Sequence, residues 1–345
     1  IRDAQESRGL GDVYKRQFTD REALAEAERR ALDDRQVTVR LVYNPPSFQI
    51  GLFASFISGI ILMFTGGVWA WRRFVGVEPA GGVGTVARNS LAPILLNLFN
   101  RGIDFGFAFI MLRILGPEGA GVYSYAVFIF GWFDIFTNFG LNVFLTREVA
   151  RDRGQAWRYL FNTSALRLLL FAGGVGLLAA FALLRQAVIS PPLAAEALLA
   201  LGLLYLGLLP NSLSTGLSAL FYAFERAEVP AAVTTVATIN KAVWGVAALL
   251  LGFGVVGLAG VSIVTNAITL GVLVYSARRL LGLRPPAAGP RFRPDGALLR
   301  SMIGESWPLM LNHFLATIFF QIDIVIIEAA HGPAMVGQYS VAYKW

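Results

Sequence analysis

Leu115–Tyr125 reads L-G-P-E-G-A-G-V-Y-S-Y, and His331–Val341 reads H-G-P-A-M-V-G-Q-Y-S-V. Gly116, Pro117, Gly121, Tyr123 and Ser124 match Gly332, Pro333, Gly337, Tyr339 and Ser340 in order. Upstream of each turn, an apolar run carries P-x-x-L-N: Pro93 and Asn97 in the first copy, Pro308 and Asn312 in the second. A one-residue slip separates run from turn. An internal repeat is sought first because missing it misreads the whole architecture.

Outward from these copies the chain is built of apolar runs of bilayer length. They fall at about 89–113, 120–144, 158–184, 195–223, 230–251, 254–276 and 301–328. Another begins near Pro333, and a preceding span covers Ile50–Trp71, with Trp69, Trp71, Arg72 and Arg73 as an interfacial anchor. Hydrophobic residues make up 56% and charged residues 15%, and mean hydropathy is +0.60, so a water-soluble core cannot hide this apolar surface. The expectation is an all-α polytopic membrane protein with about eight crossings, stopping inside a ninth. An even number of spans separates the two repeat copies, so both enter the membrane in the same direction. That is a parallel repeat.

Arginine placement sets the orientation. Arg72, Arg73 and Arg88 precede the first of the seven spans; Arg147, Arg151, Arg153 and Arg158 follow the second. Arg226 follows the fourth, and Arg278, Arg279, Arg284, Arg291, Arg293 and Arg300 follow the sixth. The alternate loops hold only Arg113 and Arg185. Basic loops stay inside, so loops near 75–88, 147–158, 225–228 and 277–300 are expected to be cytoplasmic. Residues 18–49 then lie outside.

The N-terminal part reads differently. Asp12–Gln17 (D-V-Y-K-R-Q) resembles the conceptual translation of a transposon end, so residues 1–17 are expected to be a sequencing or cloning scar. Residues 18–49 are expected to form a small extracytoplasmic α+β segment: a charged helix over 19–34 and a strand over Gln36–Tyr43. With the anchor helix at 50–75 and a glycine-rich linker at 76–88, residues 18–75 resemble the tail of large bacterial polytopic proteins. A six-helix lobe at 89–276, a basic linker at 277–300 and the start of a second lobe at 301–345, expected to be truncated, complete the organisation.

The stretch 113–153, RILGPEGAGVYSYAVFIFGWFDIFTNFGLNVFLTREVARDR, carries a family resemblance. Its first part is an R-x-L-G-x-x-x-x-G-x-Y turn on Arg113, Leu115, Gly116, Gly121 and Tyr123. Its second is the run of Gly140, Leu141, Thr146, Arg147, Glu148, Ala150 and Arg151. It resembles the opening helix pair of polysaccharide-transporter flippases, in the multidrug/oligosaccharidyl-lipid/polysaccharide exporter superfamily. The resemblance implies a MATE-like bundle of two six-helix lobes around a central cavity. It also implies a function: moving a polyprenyl-pyrophosphate-linked oligosaccharide across the cytoplasmic membrane of a bacterium by alternating access, for polysaccharide biosynthesis. Glycosyltransferases of the same pathway are the implied protein partners, and no cofactor is implied.

Ionisable groups within spans are expensive and therefore candidates for function. Asn97, Arg101 and Asp104 fall at i, i+4 and i+7, one helical face. Arginine meets an anionic pyrophosphate with a forked donor set, so Arg101 is the first headgroup candidate, with Asn97, Lys241 and Arg167 beside it. The plainer alternatives are an Arg101–Asp104 ion pair and snorkelling of Arg167. Asp104, Asp134 and Asp323 are ion-coupling or ion-pair candidates. Pro210, followed by Asn211, Ser212, Ser214, Thr215 and Ser218, is a candidate hinge facing water. Glu328 reads as an external interfacial residue, and His313 as a partner in an interhelical hydrogen bond.

Several classes are disfavoured. No P-loop and no G-x-S-x-G occurs, His313 and His331 lack metal-ligand spacing, and cysteine is absent. No enzyme activity and no nucleic-acid binding are expected. A multidrug or cation antiporter of the same superfamily remains an alternative, as does a membrane glycosyltransferase or glycan polymerase. The antiporter needs an acidic ion site and an apolar pocket; the enzyme needs a large external loop bearing acids.

Overall fold

The computed structural model describes residues 51, 54–59, 65, 82–188, 193–283 and 294–342. The chain divides into two compact units, Ile1–Ile50 and Gly51–Trp345. The expected helix at 19–34, the strand at Gln36–Tyr43 and most of the anchor helix lie outside the described residues.

The second unit is a bundle of helices. In chain order they are α1 (Gly82–Asn138), α2 (Leu141–Arg151), α3 (Ala156–Val188), α4 (Ala195–Ala223), α5 (Glu228–Leu250), α6 (Gly254–Leu280), α7 (Gly296–His331) and α8 (Pro333–Ala342). Helix continues back to Gly82, into the glycine-rich stretch expected to be a linker. No proline interrupts the chain between Gly82 and Val86, so nothing there stops the helix from starting early. Among the described residues six helical segments are long and apolar enough to cross a membrane, and the first, Leu96–Arg151, contains two of the expected spans.

Gly116 is what divides that segment. Its φ of 71° and ψ of 175° lie in a region only glycine visits cheaply. Pro117 restarts the helix at a position where its missing N–H costs nothing. The first limb then returns beside later helices: Phe107 packs against Gly245 in the body of α5. A second break comes at Phe139 and Gly140, both with positive φ, which separates α2 from α1 inside the run expected to be one span over 120–144. Gly140 also sits where α7 passes close, near Leu309 and Ser306.

Two apolar clusters mark the ends of the bundle. One gathers Met111 and Tyr123 from either side of Gly116 with Leu204, Leu249 and Val255. The other gathers Val149, Leu160, Phe221 and Ala277, joined by Val233. The first therefore collects the turns at 116 and 250–254 with the first turns of α4, and the second the turns at 151–156, 224–228 and the end of α6. Ion pairs Arg153–Glu225 at 3.0 Å and Arg158–Asp295 at 2.7 Å tie the second set together. Successive helices alternate in direction, and all the arginine-rich loops described fall at one end.

The outward faces are apolar. Leu183, Leu199, Val264 and Phe319 are all largely exposed. Such surface suits lipid, where helices associate through packing and hydrogen bonds and not through water exclusion. The described part is a multi-pass membrane protein.

The repeated turns recur in structure. Gly332, with φ 77° and ψ 179°, has the backbone of Gly116, and Pro333 restarts the helix as Pro117 does. The copies also meet. A Cβ on Gly121 would strike the carbonyl of Pro333, and a Cβ on Gly337 would strike the carbonyl of Pro117. Each glycine thus seats the proline turn of the other copy.

Candidate functional site

A cavity of about 840 Å³ opens between α2, α4, α5 and α6. It lies toward the arginine-rich end, where Arg147, Ser218, Tyr222 and Pro230 contribute to its wall. The polar run after Pro210 forms one side of it. α4 continues helically through Pro210, and the hydroxyls that follow bond backward along the helix. Ser214 donates to the Pro210 carbonyl at 2.7 Å and Thr215 to that of Asn211 at 2.8 Å. Bonds to the i−4 carbonyl let hydroxyls sit in an apolar helix without an unpaired proton.

Behind this wall is a buried polar cluster. The Asp134 carboxylate accepts from Asn138 Nδ2 and Asn211 Nδ2, both at 2.9 Å. Arg167 is fully buried and donates from Nη2 to Asn142 Oδ1 at 2.5 Å. Its Nε and Nη1 have no hydrogen-bond partner among the described residues. Gly216 makes room for it, since a Cβ there would run into Nη1. The charge of Asp134 acts on Arg167 across this cluster. Asn142 and Asn211 belong both to the cluster and to the cavity wall, so they join the two.

A hydrogen-bonding cavity inside a lipid-facing helical bundle, beside an arginine-rich end, is now in place. The family model for polysaccharide biosynthesis proteins matches residues 86–345. The chain belongs to that family. Comparison with curated proteins and with solved structures finds no match. The match begins close to the start of α1 and includes both copies of the G-P turn.

In this polysaccharide biosynthesis protein the expected site residues fall into separate groups. Asn97, Arg101 and Asp104 share the exposed face of α1, and among the described residues no ion pair joins Arg101 to Asp104. Lys241 is exposed on α5. The contact of Phe107 with Gly245 sets the register of the two helices. Lys241 precedes Gly245 by four residues, and Asp104 and Arg101 precede Phe107 by three and six. At about 1.5 Å per residue the three charges lie at similar depth. Arg167 is apart from them, packed behind the cavity wall and not snorkelling. Asp134 is the expected acid that sits nearest the cavity.

Asp323 accepts a hydrogen bond from the hydroxyl of Tyr339, the repeat counterpart of Tyr123. Glu148 and Glu305 flank Arg147, Glu148 through Nε at 2.8 Å and Glu305 through Nη2. His313 is exposed on α7. Three features escaped sequence reading. Arg185, taken for a loop residue, is buried and paired to both oxygens of Glu328 at 2.9 Å, which ties α3 to α7. Gly216 and Asn142 carry no local signal, because their roles come from a helix remote in sequence. A basic residue next to the end of one span and an acid at the end of another was the one available hint for Arg185 and Glu328.

Proposed function

We propose that this protein is a flippase that moves a polyprenyl-pyrophosphate-linked oligosaccharide across the cytoplasmic membrane by alternating access. The observation that carries the reading is the cavity of about 840 Å³, whose wall carries amides and hydroxyls among apolar side chains within a membrane bundle. A lipid tail needs no such wall, whereas a glycan cannot cross hydrocarbon without one. The family match supports a role in polysaccharide biosynthesis. The paired G-P turns support a MATE-like arrangement of two parallel lobes, with the second lobe entered at α7.

In this reading the arginine-rich end is cytoplasmic and the cavity opens toward it. The seating of Gly121 and Gly337 on each other's turns, with the Arg185–Glu328 pair, closes the opposite, external end. Arg101 and Lys241 hold the pyrophosphate, each with its charge free to meet it. Asp134, held by two amides beside Arg167, is the coupling acid. The lipid-linked oligosaccharide is the substrate, and no chemical step is performed on it.

The test is transfer in reconstituted vesicles. Full-length protein in liposomes is expected to expose a polyprenyl-pyrophosphate oligosaccharide loaded in one leaflet to a lectin on the other side. Arg101→Glu is expected to lower that transfer at least tenfold; unchanged transfer removes the headgroup role. Export of an organic cation with no lipid transfer would establish the antiporter instead.

A further inference from the structure

The hydrogen bonds around the cavity fix which partner each wall group can still offer. Four hydroxyls in the wall are committed as donors. Ser214 and Thr215 give their protons to the Pro210 and Asn211 carbonyls, Thr269 to Thr265 at 2.8 Å, and Thr146 to Ala219 at 3.1 Å. A carbonyl only accepts, so the hydroxyl oxygen must donate and keeps its lone pairs for the cavity. The amides are fixed by the same rule. Asn211 Nδ2 donates to the Asp134 carboxylate, and Asn266 Nδ2 donates to the Gly207 carbonyl at 3.0 Å. The Gly207 carbonyl has no proton to give, so Asn266 cannot flip, and each amide has its carbonyl oxygen and a second N–H left over.

Asn142 is the exception, and it is equally fixed. Arg167 can only donate, so Asn142 Oδ1 faces it and the amide nitrogen remains for the cavity. Ser218, Thr234 and Tyr222 keep uncommitted hydroxyls. Arg147, the one cation in the described wall, is already held by Glu148 and Glu305. The polar part of the wall therefore both accepts and donates through neutral groups, and is poor in free positive charge.

Resting on the flippase reading, we infer that this cavity takes the neutral, hydroxyl-rich sugar rings of the glycan and not its pyrophosphate, and that it selects neutral over acidic sugars. Sugar hydroxyls both donate and accept, and the neutral oxygens and N–H groups of this wall satisfy both. A uronate adds a full negative charge, and the one described cation of the wall is already held by two carboxylates, so that charge would be buried without a counter-charge. The pyrophosphate stays with Arg101 and Lys241, outside this wall. Arg167 acts as a positioning residue: it turns Asn142 so that its amide NH2 group faces the cavity.

The test is binding to the full-length protein in lipid nanodiscs, followed by intrinsic tryptophan fluorescence. Three lipids of one polyprenyl length are compared: the bare pyrophosphate, the pyrophosphate carrying a neutral trihexose, and the same trihexose with one ring as a uronate. The neutral glycan lipid is expected to bind about tenfold tighter than the bare lipid, the return from two or so net hydrogen bonds. The uronate lipid is expected to gain nothing over the bare lipid. Thr215→Val with Thr269→Val, which keeps side-chain shape, should bring the neutral lipid to the bare affinity and leave the bare lipid unchanged. Equal affinity for neutral and uronate lipids, or an unchanged neutral affinity in the double variant, overturns the inference while the flippase reading stands. Failure to bind any of the three lipids overturns both.

Discussion

Arg167 is the residue at which burial and charge are most opposed. A buried guanidinium costs several kcal/mol unless paired, and a methionine of similar length avoids that cost. Arg167→Met is expected to leave the thermal midpoint in detergent unchanged or raised, and to weaken neutral-glycan binding by releasing Asn142. Gly216→Ala pushes a methyl group into the same guanidinium and should destabilise by about 1–3 kcal/mol, read by thermal unfolding. Asp295 tests a charge outside the membrane. Its carboxyl is held below the usual carboxylate range by the hydrogen bond from Arg158, then by the backbone N–H of Leu298. A depressed folded value means a stabilisation present above the ordinary carboxylate pKa and lost as pH falls through the folded value. Asp295→Asn should therefore lower thermal stability slightly at neutral pH and remove part of the further loss on acidification.

The repeated turn is the informative element. Gly116 and Gly332 hold a conformation costly for any other residue, about 1–3 kcal/mol each. Gly121 and Gly337 do a different job, letting the two turns interlock. Gly121→Leu or Gly337→Leu should separate the turns while leaving each helix intact. Because the chain lacks cysteine, one cysteine placed at Ser124 reports on this directly. Labelling by an impermeant maleimide is expected to accelerate at least fivefold in either leucine variant; an unchanged rate would mean the turns do not occlude that end. The repeat, the turn residues and most helix ends were legible in sequence, since glycine and proline punctuate the chain locally. The break at Phe139–Gly140 was not, because the apolar run continues across it and only the approach of α7 makes it intelligible.

For the whole molecule, direction and closure are the questions. Reporter fusions after Ala150 and Pro285 should report the same side of the membrane, the cytoplasm. Opposite readings would break the alternation of helices, and two external readings would invert the orientation. The Arg185–Glu328 pair joins α3 to α7 at the other end, with both side chains nearly inaccessible. Removing one partner leaves a buried charge, so Glu328→Gln is expected to cost about 3–5 kcal/mol, while Arg185→Met with Glu328→Leu should recover much of it. A double-mutant cycle on thermal stability checks this.

The sequence by itself determined that this is a membrane protein, where its helices lie, which loops share an end, and that one turn occurs twice. These follow from local quantities: apolar length, arginine placement and glycine–proline punctuation act within a few residues of where they are read. Only the tertiary structure decided that Arg185 meets Glu328, that Arg167 lies behind a wall at Asn142, and that the two turns seat each other. It also decided that the cavity presents neutral hydroxyls and amides where the intramembrane arginines suggested positive charge. Which lone pairs remain free depends on where each proton has gone, and that is settled by partners on helices far apart in the chain.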